Sequence, residues 1–163
     1  VKNIRSLQRR LKRMANTYTQ VYLHIVFSTK NRVDWIAPQI ETRIWAYLGG
    51  IARKHKMTAI QLGGIDDHIH ALLGVPPILS PSQAARYLKG DSSLWIHREF
   101  QTMNGFAWQD GYGAFSVSRS EIPRVVEYIK NQRNHHEKES FEQEYVRLLQ
   151  LHGVEYDERY LCG

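Results

Sequence analysis

The stretch Thr58-Ala59-Ile60-Gln61-Leu62-Gly63-Gly64-Ile65-Asp66-Asp67-His68-Ile69-His70-Ala71-Leu72-Leu73-Gly74-Val75 decides how this chain folds. Two apolar runs flank a segment of glycine and aspartate, the pattern of a β-hairpin with its turn expected at Gly63-Gly64-Ile65-Asp66. Side chains two apart on a strand share a face. Ile69, Ala71, Leu73 and Val75 therefore point toward a core, while His68 and His70 stand together on the other side.

Working outward, Tyr18 to Phe27 alternates, with Val21, Leu23, Ile25 and Phe27 on one side and Gln20, Tyr22 and His24 on the other, as a half-buried strand does. Pro38 suits the first turn of a helix carrying Ile40, Ile44, Tyr47, Leu48 and Ile51. After the hairpin, Ser80 as cap and Pro81 as first residue open a second helix running to about Phe100. Ala114 to Ser118 is extended. Ser120 is the preferred cap of a third helix over about 121–138, because Pro123 then falls in a turn whose N–H groups lack intrahelical partners. A fourth helix follows over about Phe141 to Leu151, with the helix and tail together spanning 140–163. The order βαββαβαα predicts an α+β fold. It is a ferredoxin-like or RNA-recognition-type antiparallel sheet with helices on one face and an added C-terminal tyrosine-bearing helix.

The 163 residues fit one domain with a core that needs no disulfides. Cys162 is the single cysteine, which excludes a disulfide scaffold and a zinc ribbon and points to a reducing cytoplasm. No apolar run approaches the roughly 20 residues of a membrane span. The formal charge of +6 lies wholly in residues 1–13, where Lys2, Arg5, Arg9, Arg10, Lys12 and Arg13 meet no acid. Met14-Ala15-Asn16-Thr17 reads like a start before the first strand, so 1–13 is expected to be an added basic extension and 14–163 the domain proper. The domain balances sixteen bases against sixteen acids, so any nucleic-acid surface on it must be a local patch.

Two imidazoles on one strand face suit a divalent ion, although an isolated His-x-His is more often a pair of hydrogen-bonded histidines. On the third helix, at about 100° per residue, Ile122, Val125, Val126 and Ile129 mark the core face, while Tyr128, Gln132 and His135 fall on one strip beside it. Gln132 is a neutral oxygen donor able to supply a third ligand.

His68-Ile69-His70 resembles the paired-histidine motif of the HUH endonucleases, and Tyr128-Ile129-Lys130-Asn131-Gln132 with His135-His136 resembles the tyrosine helix of single-tyrosine transposases of the IS200/IS605 insertion sequences and their REP-associated relatives. Lys89-Gly90-Asp91-Ser92-Ser93, Trp108 to Ser118 and Glu155 to Leu161 extend the resemblance over nearly the whole domain. It implies that His68, His70 and Gln132 bind Mg²⁺ or Mn²⁺, and that Tyr128 is the nucleophile. The substrate it implies is single-stranded DNA with hairpins, cleaved and rejoined through a 5′-phosphotyrosine, and the assembly a homodimer able to exchange tyrosine helices between subunits.

Lys30, Arg32, Lys89, Arg124, Lys130 and Arg133 are candidate phosphate contacts, and Tyr22 or Trp108 candidate base-stacking surfaces. His24 falls on the histidine side of the first strand, and Asp66 and Asp67 beside the motif suit supporting contacts to it. Two other readings stay open. One is a non-catalytic module binding structured single-stranded nucleic acid. The other is an unrelated metallohydrolase for which Tyr128 is dispensable.

Overall fold

The computed structural model describes residues 18–161; the basic segment 1–13 and Cys162 lie outside them. Strands β1 (Val21–Ser28), β2 (Thr58–Ile65), β3 (His68–Val75) and β4 (Gly113–Ser116) form one sheet in the order β2-β3-β1-β4, each neighbouring pair antiparallel. This is the expected ferredoxin-like arrangement. The alternation in β1 and β3 sends Leu23, Ile25, Phe27, Ile69, Ala71, Leu73 and Val75 to one face. There they meet α1 (Pro38–Lys54) through Ile44, Leu48 and Ile51, and α2 (Pro81–Glu99) through Ala84, Ala85, Leu88 and Ile96. Ser80 caps α2 as expected, its Oγ accepting from Gln83 N while Gln83 Oε1 accepts from Ser80 N.

The second face of the sheet is covered too. Helices α3 (Ile122–Lys130), α4 (Gln132–His136) and α5 (Phe141–Leu151) lie over it. Phe141, Tyr145, Leu148 and Leu149 of α5 form an apolar stripe that buries against Val26 and Phe115 of the sheet. The histidine face, expected to be open, is therefore closed.

Three local expectations change. Strand β2 runs through both glycines, and the turn is Asp66-Asp67. The glycines serve close approach: a Cβ on Gly64, at φ +152°, would lie 2.1 Å from the His68 carbonyl oxygen. The turn is tied down by the chain leaving β1, with Thr29 N donating to Asp67 O at 2.7 Å and Ile36 N to Asp66 O at 2.8 Å. Next, Ser120 does not cap the tyrosine helix. A 3₁₀ turn over Arg119–Glu121 leads into α3, and the Ser118 and Ser120 hydroxyls bond each other at 2.9 Å. Pro123 still sits in the first turn. Finally, the helix expected over 121–138 breaks at Asn131, whose Nδ2 donates to the Glu127 carbonyl at 2.9 Å and competes with the regular ladder.

Gly63 sets how closely α3 docks. A Cβ there would lie 2.8 Å from Ile129 Cγ2 and 3.0 Å from the Ile129 carbonyl oxygen, next to Tyr128 in sequence. Gly63→Ala should cost about 1–3 kcal/mol, read as a lowered thermal midpoint, because a backbone atom must move. Unchanged melting would show that the helix floats free of β2.

Candidate active site

Register brings the site together. Val26 lies opposite His70 and Ser28 opposite His68, so His24, Val26, His68 and His70 share the face beneath α3–α5. His68 and His70 are wholly buried. The His68 ring is held from two sides: Nδ1–H donates to Asp67 Oδ1 at 2.6 Å, and Phe141 stacks on it with ring centres 4.5 Å apart. His70 Nδ1 meets His24 Nε2 at 2.9 Å. Both Nε2 atoms are thereby aimed at α4 and α5.

Glu144 of α5 lies opposite them. Its carboxylate is fully buried, 3.6 Å from His68 Nε2 and 3.4 Å from His70 Nε2. It accepts from Gln132 Nε2 at 3.0 Å, from His136 Nε2 at 2.9 Å and from the Tyr128 hydroxyl. Gln132 Oε1 is 3.0 Å from His68 Nε2, and Arg147 Nη2 donates to Tyr128 Oη at 3.2 Å. The Tyr128 ring packs edge-on to His70 and His24, 5.7 and 6.2 Å away.

This donor set fits a cation. With His68 Nδ1–H committed to Asp67, its Nε2 lone pair faces the Gln132 amide oxygen and the Glu144 carboxylate. Acceptor atoms turned toward one point repel unless a positive charge, a metal ion or a shared proton, joins them. His70 Nε2, buried, makes no hydrogen bond. The candidate ligand atoms of His68, His70 and Glu144 lie within 4.8 Å of one another, and the mixture of imidazole and oxygen suits a divalent metal.

Residues 17–132, including the histidine pair, Tyr128 and Gln132, match the family described as IS200-like transposases. The chain belongs to that family. It is 29% identical over 126 residues to the transposases for insertion sequence element IS200 of Salmonella typhimurium and Salmonella typhi, covering 74% of this chain and 82% of each relative. Two solved structures share the fold. A candidate transposase of Deinococcus radiodurans superposes with a TM-score of 0.61 at 23% identity, over 72% of this chain and 95% of its own. A REP-associated tyrosine transposase bound to a REP hairpin gives 0.56 at 14% identity, over 75% and 72%.

In this transposase the expected cluster of His68, His70, Gln132 and Tyr128 does assemble, within one chain. Among the expected DNA contacts, Lys30 is exposed and Arg32 faces Glu142 at 3.6 Å. Arg124 pairs with Glu121 and Lys130 with Glu127, both at 3.1 Å, and Arg133 pairs with Glu41. Lys89 has a structural task, its amine donating to the carbonyls of Asp110 and Gly111 at 2.9 and 3.0 Å. Trp108 is no stacking surface: it is buried against Phe27 and Phe106 and donates to Ser92 Oγ at 2.9 Å. Among the described residues, no helix is long and apolar enough to cross a membrane.

Glu144 and Arg147 escaped the sequence reading, and His136 entered it only within the resemblance, with no role assigned. One signal was available for Glu144, an acid three residues after Phe141 and four before Leu148, on the stripe that must be buried.

Burial raises the Tyr128 phenol, and the Glu144 charge and hydrogen bond raise it further, against a smaller opposing pull from Arg147. The site therefore holds a phenol, not a phenolate. Burial likewise holds His24 well below, and His70 below, the ordinary 6.5. Burial works to raise Glu144, but His70 and the His136 hydrogen bond outweigh it and keep the carboxyl below 4.5. Lowered folded-state values favour the fold fully above 6.5 for His24 and His70, and above 4.5 for Glu144, and that stability is lost as pH falls through each range. His136, raised by Glu144 despite its own burial, acts in the opposite sense and favours the fold on the acid side. The His136 contribution is complete once pH has fallen to about 6.5, so below it His24 and His70 set the slope. The thermal midpoint in EDTA should therefore fall there, and more steeply below about pH 4.5. A midpoint flat from pH 7 to 4 would contradict these environments.

Proposed function

We propose that this transposase cleaves and rejoins single-stranded DNA through a covalent 5′-phosphotyrosine on Tyr128, acting on the hairpin-bearing ends of a mobile element. The observation that carries this is the meeting of three groups at one carboxylate: the Nε2 atoms of His68 and His70 and the Tyr128 hydroxyl all converge on Glu144. His68 and His70, with oxygen from Gln132 or Glu144, would hold Mg²⁺ or Mn²⁺. Such an ion, when bound, supplies Lewis-acid polarisation of the scissile phosphate.

Tyr128 Oη attacks phosphorus. The Oη–P bond forms as the P–O3′ bond breaks, the phenolic proton leaves Oη, and the departing O3′ takes up a proton. The bond energy stays in the phosphotyrosine, so a second 3′-hydroxyl can reverse the step and join a new strand without ATP. Arg147, 3.2 Å from Oη, places positive charge beside the reacting oxygen. Glu144 faces both imidazoles, 3.6 and 3.4 Å from their Nε2 atoms, where its carboxylate can join them in holding the ion. One chain brings phenol and imidazoles together here, and a homodimer able to exchange tyrosine helices between subunits remains part of the proposed reading.

Binding of a hairpin by this chain is supported by the fold it shares with the REP-hairpin complex. The exposed cations Lys30, Arg124, Lys130 and Arg133 are the proposed backbone contacts. Arg124 also borders, with Tyr128 and Arg147, a cavity of about 160 Å³ next to the nucleophile. The test is to incubate the protein with an end-labelled hairpin-bearing single strand and Mn²⁺ or Mg²⁺, and to resolve products under denaturing conditions. A protein–DNA band stable to denaturant is expected; binding without such a band in either metal would favour a non-catalytic module.

A further inference from the structure

We propose that His24 is a positioning residue of the metal centre, fixing His70 in the tautomer whose Nε2 lone pair is free to bind the ion. The inference rests on the metal-centre reading above. Its observations are geometric and belong to this chain.

His24 sits on β1 opposite Leu72, one diagonal step from His70 on the same buried face. Its Nε2 lies 2.9 Å from His70 Nδ1, and its ring is flanked by Phe115 and Tyr128 at 6.4 and 6.2 Å. A hydrogen bond between two neutral imidazoles needs one N–H and one lone pair. If His70 Nδ1 carries the hydrogen, its Nε2 is a lone pair. The other tautomer would put N–H on Nε2, aimed at the Glu144 carboxylate 3.4 Å away, and that hydrogen bond would consume the ligating lone pair. Nε2 has no hydrogen-bond partner despite complete burial, as expected of an atom kept free for a ligand.

The two ligand histidines are thus backed differently. His68 is backed by the Asp67 carboxylate, from the hairpin turn, and His70 by a neutral imidazole from the neighbouring strand. Outer partners of this kind set ring orientation and tautomer, and removing one costs about 10–100-fold in metal affinity.

The test compares wild type, His24→Leu and His24→Gln. Gln presents an amide oxygen where His24 has Nε2; Leu presents none. ¹⁵N chemical shifts of His70 in the metal-free protein report its tautomer, and Mn²⁺ titration followed by electron paramagnetic resonance reports affinity. Wild type and His24→Gln should show His70 protonated on Nδ1. His24→Leu should move the proton to Nε2 and weaken Mn²⁺ binding about 10–100-fold, with Gln restoring most of the affinity. Far-ultraviolet circular dichroism identifies a variant that fails to fold, and the wild-type and Gln spectra then decide alone. The proposal is overturned if His70 is protonated on Nε2 in wild type, or if His24→Leu keeps both the Nδ1 tautomer and the affinity. Failure of wild type to bind Mn²⁺ would overturn the metal reading instead, leaving the tautomer to be judged by its shifts.

Discussion

Tyr128→Phe is expected to bind hairpin-bearing single-stranded DNA as wild type does and to form no covalent adduct with it. The substitution deletes one oxygen. Glu144 keeps its hydrogen bonds from Gln132 and His136, and the Phe ring keeps the edge contacts to His24 and His70, so the fold should lose only about 1 kcal/mol for a hydrogen bond. The chemistry, by contrast, loses its nucleophile. The Tyr128 hydroxyl reaches the carboxylate shared by both histidines, and Phe offers no oxygen in its place. Denaturing gels of adduct beside native binding assays would separate the two effects. Adduct formation surviving in Tyr128→Phe would remove the assigned nucleophile and favour a metallohydrolase using the histidines alone.

His70→Ala should abolish both metal binding and adduct formation. His70 Nε2 is the buried atom without a hydrogen bond in this cluster, and its loss leaves Glu144 facing one fewer imidazole. Even outer-sphere partners are worth about 10–100-fold in metal affinity, so losing a direct ligand should weaken Mn²⁺ binding at least about 100-fold. Titration monitored by electron paramagnetic resonance checks this directly. Unchanged Mn²⁺ affinity in His70→Ala would place the metal elsewhere.

Much of this architecture is written in local patterns. The period-two alternation of Ile69, Ala71 and Leu73 against His68 and His70 placed both imidazoles on one face, and the register bears that out. The cap expected at Ser80 marks the start of α2 to the residue, and the structure adds a capping box at Ser140 for α5 that the sequence reading did not draw on. What the patterns could not convey is which face a helix finally covers. The α5 stripe of Phe141, Tyr145, Leu148 and Leu149 demands burial, but only the tertiary fold tells it to lie on Val26 and Phe115, and so to bring Glu144 onto the histidines. The break at Asn131 was hidden for a related reason. Asn is tolerated within helices, so nothing in the pattern marks this one as the place where the side chain bonds the Glu127 carbonyl and the ladder gives way. Gly63 and Gly64 misled as turn residues because their purpose is contact, with Ile129 above one and the His68 carbonyl beside the other.

The central claim is that one phenol takes the phosphorus. Lys130 follows Tyr128 by two residues and Arg124 precedes it by four, so trypsin releases Val125-Val126-Glu127-Tyr128-Ile129-Lys130, which holds a single tyrosine. Mass spectrometry of the digested adduct, after nuclease trimming of the DNA, should find the nucleotide mass on that hexapeptide. The same mass on any other tyrosine-bearing peptide would contradict the account.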